Sequence, residues 1–179
     1  MENQAVRETI EKLLDQGYSR NAVFEQLRGQ VGNELRLANR IATVRVQCET
    51  GVPVTLNRIL LCLSIIQALF AVWVLQSVWI PLDQVIVLLG IFVISVLTVL
   101  YLIGLARMAF IGYTAFLLFC FTVAANYMYA FQFFPVISLM GLLLALMNGA
   151  LTYYLKVLIY PHMGMLDVRK DGRGRYILE

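Results

Sequence analysis

Apolar residues recur every three or four positions along the first part of the chain, which is the spacing of one face of an α-helix. Three groups follow one another: Val6, Ile10, Leu13 and Leu14; Val23, Phe24 and Leu27; and Leu37, Ile41 and Val44. Gly17 is suited to end the first helix, and Ser19 is suited to cap the second. The pattern predicts a small three-helix region over residues 1–53.

Beyond this region the helical spacing of apolar residues is replaced by four long apolar stretches, at residues 55–80, 84–106, 108–130 and 133–160. Each exceeds the roughly 20 residues that a helix needs to cross about 30 Å of hydrocarbon. The prediction is therefore an all-α integral membrane protein, with four transmembrane helices within residues 54–161.

Interruptions of the apolar pattern predict the turns between these helices. Gly104, Arg107 and Gly112 indicate a tight turn between the second and third stretches, because a charged side chain is costly inside the bilayer. The segment from Pro81 to Gln84 separates the first two stretches. The segment that ends at Pro135 separates the last two, and Pro161 ends the final helix.

Composition and charge agree with a membrane protein and indicate its orientation. Apolar residues make up 60% of the chain and charged residues 14%, and the mean hydropathy is +0.77. The net charge is +3, and the basic residues do not form the dense basic face that nucleic-acid binding requires. The basic residues near the spans map to one side: Arg40, Arg45, Arg58, Arg107, Lys156, Arg169, Lys170, Arg173 and Arg175. By the positive-inside rule, both termini are expected in the cytoplasm.

The tail after the last span has its own pattern. Residues 162–179 include MLDVRKDGRGRYILE, which reads as a strand, an Asp-Gly turn and a second strand. The sequence predicts a short cytoplasmic hairpin. Because an isolated hairpin is marginal in water, it is expected to pack on something.

The last span carries a stripe of small and polar residues on one helical face: Ser138, Gly141, Ala145, Asn148, Gly149 and Thr152. Small residues let a second helix approach closely, and an asparagine in hydrocarbon seeks a hydrogen-bond partner there. The stripe is predicted to be a helix-packing or oligomer face. It could contact other helices of the chain, other copies, or a water-filled path. Lys156, at its inner end, is expected to reach the lipid headgroups.

Candidate chemistry is sparse. The span interiors lack Asp, Glu and His, and the chain has no phosphate-binding, hydrolase or paired-cysteine metal motif. Cys48, Cys62 and Cys120 have no pairing or metal-ligand spacing. We therefore expect no catalytic, cofactor or metal site.

These observations favour a non-enzymatic membrane subunit that self-associates and binds a cytoplasmic protein through residues 1–50, with Phe24 and Arg28 as exposed docking candidates. The alternative is an oligomeric passive channel with Asn126, Asn148 and Thr152 along its path. A lipid-modifying enzyme that uses His162, Tyr160 and Lys156 is a more distant hypothesis. Short outer loops favour a bacterial inner (plasma) membrane.

Overall fold

Seven helices occupy the residues that the computed structural model describes, which are 3–29, 32–44, 51–78, 84–164, 167–171 and 175–178. They are α1 (Asn3–Asp15), α2 (Arg20–Arg28), α3 (Glu34–Thr43), α4 (Val52–Val78), α5 (Gln84–Ala106), α6 (Phe110–Ala130) and α7 (Pro135–Ile159). The chain divides into two compact units. The terminal unit combines Met1–Cys48 with Val157–Glu179, and the membrane unit is Glu49–Lys156.

Four helices in the described part of the chain, α4 to α7, are long and apolar enough to cross a membrane. The prediction of an all-helical chain with four such helices is confirmed. Helix α4 begins a few residues before the predicted span, because Pro53 lies in its first turn, where a missing backbone N–H removes no helical hydrogen bond. The predicted turn at Pro81 falls among residues 79–83, which lie outside the described residues.

The predicted tight turn between α5 and α6 is present. Helix α5 ends at Ala106, α6 begins at Phe110, and Met108 between them adopts a φ of 48°. The Ala109 N–H donates to the Gly104 carbonyl at 3.0 Å. The backbones of Gly104 and Gly112 then approach so closely that a Cβ added to Gly112 would lie 2.6 Å from the Gly104 carbonyl carbon. Glycine at both positions is therefore what permits this turn.

Local signals in the terminal unit fix where its helices start and stop. Gly17 adopts a φ of 86°, and the N–H of Tyr18 donates to the Leu13 carbonyl at 3.2 Å, which closes the end of α1. The Ser19 side chain accepts a hydrogen bond from the Ala22 N–H at the start of α2. Side chains from all three helices are fully buried in this unit, among them Ile10, Val23, Leu37 and Ile41.

The C-terminal tail belongs to the same unit as α1 to α3. Its described residues contain two isolated antiparallel bridges, Met163 with Val168 and Lys170 with Tyr176, but no β-strand. The predicted turn falls largely on residues 172–174, outside the described residues, so the hairpin stays a prediction. Met163, Val168 and Leu178 are buried. The sequence predicts residues 1–53 and 162–179 as separate regions, whereas Met1–Cys48 and Val157–Glu179 belong to one compact unit.

Gly112→Ala should destabilise the membrane unit, because the added Cβ would meet the Gly104 backbone, which has no free side chain to move aside. Overpacking of this kind costs roughly 1–3 kcal/mol. Thermal unfolding in detergent, followed by circular dichroism, measures the loss.

Gly149→Ala is the matched control for that experiment. Its Cβ would lie 3.5 Å from the Cys120 Cβ, which is ordinary contact, and alanine favours the helix by about 1 kcal/mol. We expect its melting temperature to be unchanged or raised. Equal losses in the two variants would contradict the close-approach argument.

Candidate functional site

The small and polar stripe of α7 contacts helices of its own chain. Ser138, Ala145, Asn148 and Thr152 are almost completely buried. A Cβ at Gly141 would meet the Tyr127 ring of α6, and one at Gly149 would touch Cys120 of α6. Exposed positions of α7 are large and apolar, for example Leu139, Leu143 and Leu146. These contacts lie within one chain, and the roles of the face in self-association and along a water-filled path stay predictions.

The centre of this stripe is a hydrogen bond between two amides. Asn148 Nδ2 donates to Gln67 Oε1 of α4 at 2.6 Å, and also lies 3.4 Å from the Leu63 carbonyl oxygen. Two atoms of the pair, Gln67 Nε2 and Asn148 Oδ1, are buried and have no partner among the described residues. A buried amide atom left without a partner costs about 1–3 kcal/mol. The pair therefore joins α4 to α7, and it leaves one donor atom and one acceptor atom without partners among the described residues.

A second amide links three helices near the α5–α6 turn. Asn57 Nδ2 of α4 donates to the Leu105 carbonyl of α5 at 3.0 Å, and the Tyr113 hydroxyl of α6 donates to Asn57 Oδ1 at 2.7 Å. Asn57 and Tyr113 are both buried. Asn57 is a polar residue within the first apolar stretch, but nothing in the spacing of α6 singles out Tyr113 as its partner.

A cavity of about 350 Å³ lies between α4, α5 and α6. Its lining includes four aromatic side chains, Tyr101, Phe116, Phe119 and Tyr127, and four polar ones, Ser64, Gln67, Thr98 and Asn126. Of the three candidate path residues, only Asn126 is among the lining residues; Asn148 and Thr152 are buried between helices. The structure does not bring these three side chains together along one path.

The position of the Lys156 side chain differs from the one that the sequence predicted. Its side chain is 4% exposed instead of extending to the headgroups, and Nζ lies 4.8 Å from the centroid of the Phe110 ring. A cation over an aromatic face is attracted by the ring quadrupole, which favours this position. The expectation that Lys156 reaches the lipid surface is therefore wrong for this chain.

The two docking candidates of the terminal unit differ in exposure. Phe24 was expected to be exposed, but it is buried at 7% because the Tyr176 ring of the tail packs against it, with centroids 5.6 Å apart. Arg28 is on the surface, where its Nε lies 2.8 Å from Glu34 Oε1 and its guanidinium lies 3.7 Å from Glu25. The hydrogen bond with Glu34 raises the pKa of Arg28. Arg28 alone remains a docking candidate.

Asn39 of α3 forms two hydrogen bonds with the tail. Asn39 Nδ2 donates to Asp167 Oδ1 at 2.8 Å, and the Val168 N–H donates to Asn39 Oδ1 at 2.8 Å. One side-chain amide thus satisfies a carboxylate and a backbone N–H of a segment 128 residues away. No local pattern in the sequence identifies this residue.

The described residues contain no group of three or more His, Cys, Asp and Glu side chains that could hold a metal ion. Comparison of the chain with protein-family models, with curated protein sequences and with solved structures gives no match. A function must therefore be inferred from the residues and their geometry.

Tyr113→Phe should destabilise the membrane unit, because it removes the donor that Asn57 Oδ1 accepts from. Interhelical hydrogen bonds in membranes contribute about 0.6 kcal/mol on average and up to about 1.7 kcal/mol. Detergent unfolding curves measure the difference. Tyr153→Phe, at a position that is 57% exposed, is the control and should be neutral. Unfolding of Tyr113→Phe at the wild-type temperature would show that the bond contributes nothing.

Proposed function

We propose that this chain is a non-enzymatic membrane subunit whose cytoplasmic unit binds a soluble protein. The observation that supports this most directly is the folded terminal unit, which both ends of the chain build together through Asn39 and the Phe24–Tyr176 contact. Four membrane helices need no such unit in order to span a bilayer. A separately folded unit that presents charged side chains is suited to protein binding.

Contact between the two ends of the chain also supports the proposed topology. Residues of α2 and α3 touch the tail only if both lie on the same side of the membrane, which four crossings provide. Arg40, Arg107 and Arg169 lie on that side in the predicted threading, and basic residues favour the cytoplasm. We infer that both termini are cytoplasmic, in a bacterial inner (plasma) membrane.

Cysteine labelling in intact cells tests this topology. In a background where the native cysteines are replaced by alanine, Gln132→Cys, in the α6–α7 turn, should react with an impermeant thiol reagent. Gln16→Cys, in the α1–α2 turn, should react only after the cells are opened. Both side chains are exposed in the folded chain, so burial does not confuse the result. Labelling of Gln16→Cys in intact cells would overturn the topology.

The end of α2 and the start of α3 offer the most specific surface for a partner. Arg28 is held between Glu25 and Glu34, and its guanidinium lies 6.0 Å from the Phe24 ring centroid. These contacts reduce the number of orientations that the exposed guanidinium samples before a partner binds. Exposed ion pairs contribute between about 0 and 1 kcal/mol to stability, so Arg28 can be removed without unfolding the unit.

Arg28→Ala should weaken capture of the partner by about tenfold, the effect of losing an anchor worth about 1.4 kcal/mol. The experiment is pull-down with the full chain, identification of the retained protein, and titration of that purified protein. Arg7→Ala is the matched control, because Arg7 is an exposed arginine in a similar pair with Glu11 at 2.8 Å. Equal binding by both variants would exclude the Arg28 surface.

Flux measurements separate this proposal from the channel hypothesis. Proteoliposomes that contain the full chain should show no solute or ion flux above empty vesicles. Flux that is lost in Asn126→Leu, together with no specifically retained protein, would overturn the subunit proposal.

A further inference from the structure

The cavity between α4, α5 and α6 has the size and lining of a ligand site. Its volume of about 350 Å³ falls within the roughly 300–1,000 Å³ of small-molecule pockets in proteins. Aromatic rings form one part of its wall: the centroid of Tyr101 lies 5.0 Å from that of Phe119 and 5.8 Å from that of Phe116. Such a wall is suited to a flat apolar molecule, because aromatic faces stack on one another.

Gln67 adds a polar group to this apolar lining, and the amide nitrogen of that group has no hydrogen-bond acceptor among the described residues. Its side chain lines the cavity and is 3% exposed. Asn148 fixes the orientation of the amide, because Asn148 Nδ2 donates to Gln67 Oε1 and approaches the Leu63 carbonyl. Gln67 Nε2 is consequently left without an acceptor among the described residues. The atom itself is enclosed, so a molecule in the cavity reaches it when the amide turns toward the lining. In a hydrocarbon environment no bulk water supplies that acceptor.

We propose that this cavity binds a flat, membrane-soluble carbonyl compound of the quinone class, whose ring oxygen accepts a hydrogen bond from Gln67. The unpaired donor selects a molecule with an acceptor, and the aromatic wall selects a ring over a flexible chain. Gln67 lies near the middle of α4, Val52–Val78. Phospholipid ester oxygens lie at the membrane interface, so the acceptor must belong to a molecule that dissolves in the hydrocarbon.

Two probes that differ only in their carbonyl groups test the proposal. They are 2-methyl-1,4-naphthoquinone and 2-methylnaphthalene, measured by equilibrium dialysis against the full chain in phosphatidylcholine nanodiscs, with empty nanodiscs subtracted. The wild-type chain should bind the quinone saturably and about fivefold more tightly than the hydrocarbon, since one buried hydrogen bond accounts for a difference of that size. This comparison needs no variant to fold.

Three variants test whether the preference for the quinone depends on Gln67 and whether both probes bind in the cavity. Gln67→Leu removes the donor and should bind both probes equally. Asn148→Leu removes the same interhelical bond but keeps the Gln67 amide, so it should retain the preference. Ala68→Phe fills the cavity and should abolish saturable binding of both probes.

The opposite results would overturn the proposal. Equal affinity of the two probes on the wild-type chain would reduce the site to an unspecific apolar cavity. A preference that persists in Gln67→Leu would assign the hydrogen-bond donor to another residue, and the absence of saturable binding would remove the site. None of these outcomes bears on the Arg28 surface, so the two proposals fail separately.

Discussion

Polar side chains inside apolar helices need partners within the protein, and this requirement organises the membrane unit. The short hydroxyl side chains Ser64 and Thr114 meet it inside their own helix: Ser64 donates to the Leu60 carbonyl at 2.7 Å, and Thr114 to the Phe110 carbonyl at 3.1 Å. The Asn57 amide is longer and bonds to a neighbouring helix instead. The amides of Asn57 and Asn148 therefore join neighbouring helices, whereas the Ser64 and Thr114 hydroxyls bond within their own turn.

The Asn57 bond and the glycine contact act at the same end of three helices. Asn57, Leu105 and Tyr113 meet beside the turn that Gly104 and Gly112 allow. The cavity lining lies beyond this point along each helix, toward later residues of α4 and α6 and earlier residues of α5. The helices are thus held together at one end and leave a cavity farther along.

The sequence predicted the features that depend on local pattern. Apolar runs predicted the spans, and Gly104, Arg107 and Gly112 predicted the turn, because helix length and backbone freedom are properties of adjacent residues. Exposure of Phe24 was predicted wrongly, because Tyr176 covers it from the opposite end of the chain. The partner of Asn57 was missed for the same reason. Periodicity gives each helix an apolar face but does not identify which distant residue meets it.

Because both ends of the chain share one core, removing either end exposes the other. A chain that began near Gly51 would leave Tyr176 without the Phe24 ring that it packs against, and Asp167 without Asn39. If such a truncated chain lost partner binding, the cause could equally be a missing binding surface or a misfolded tail. Substitutions of exposed side chains keep the core intact, so they alone separate recognition from folding in this unit.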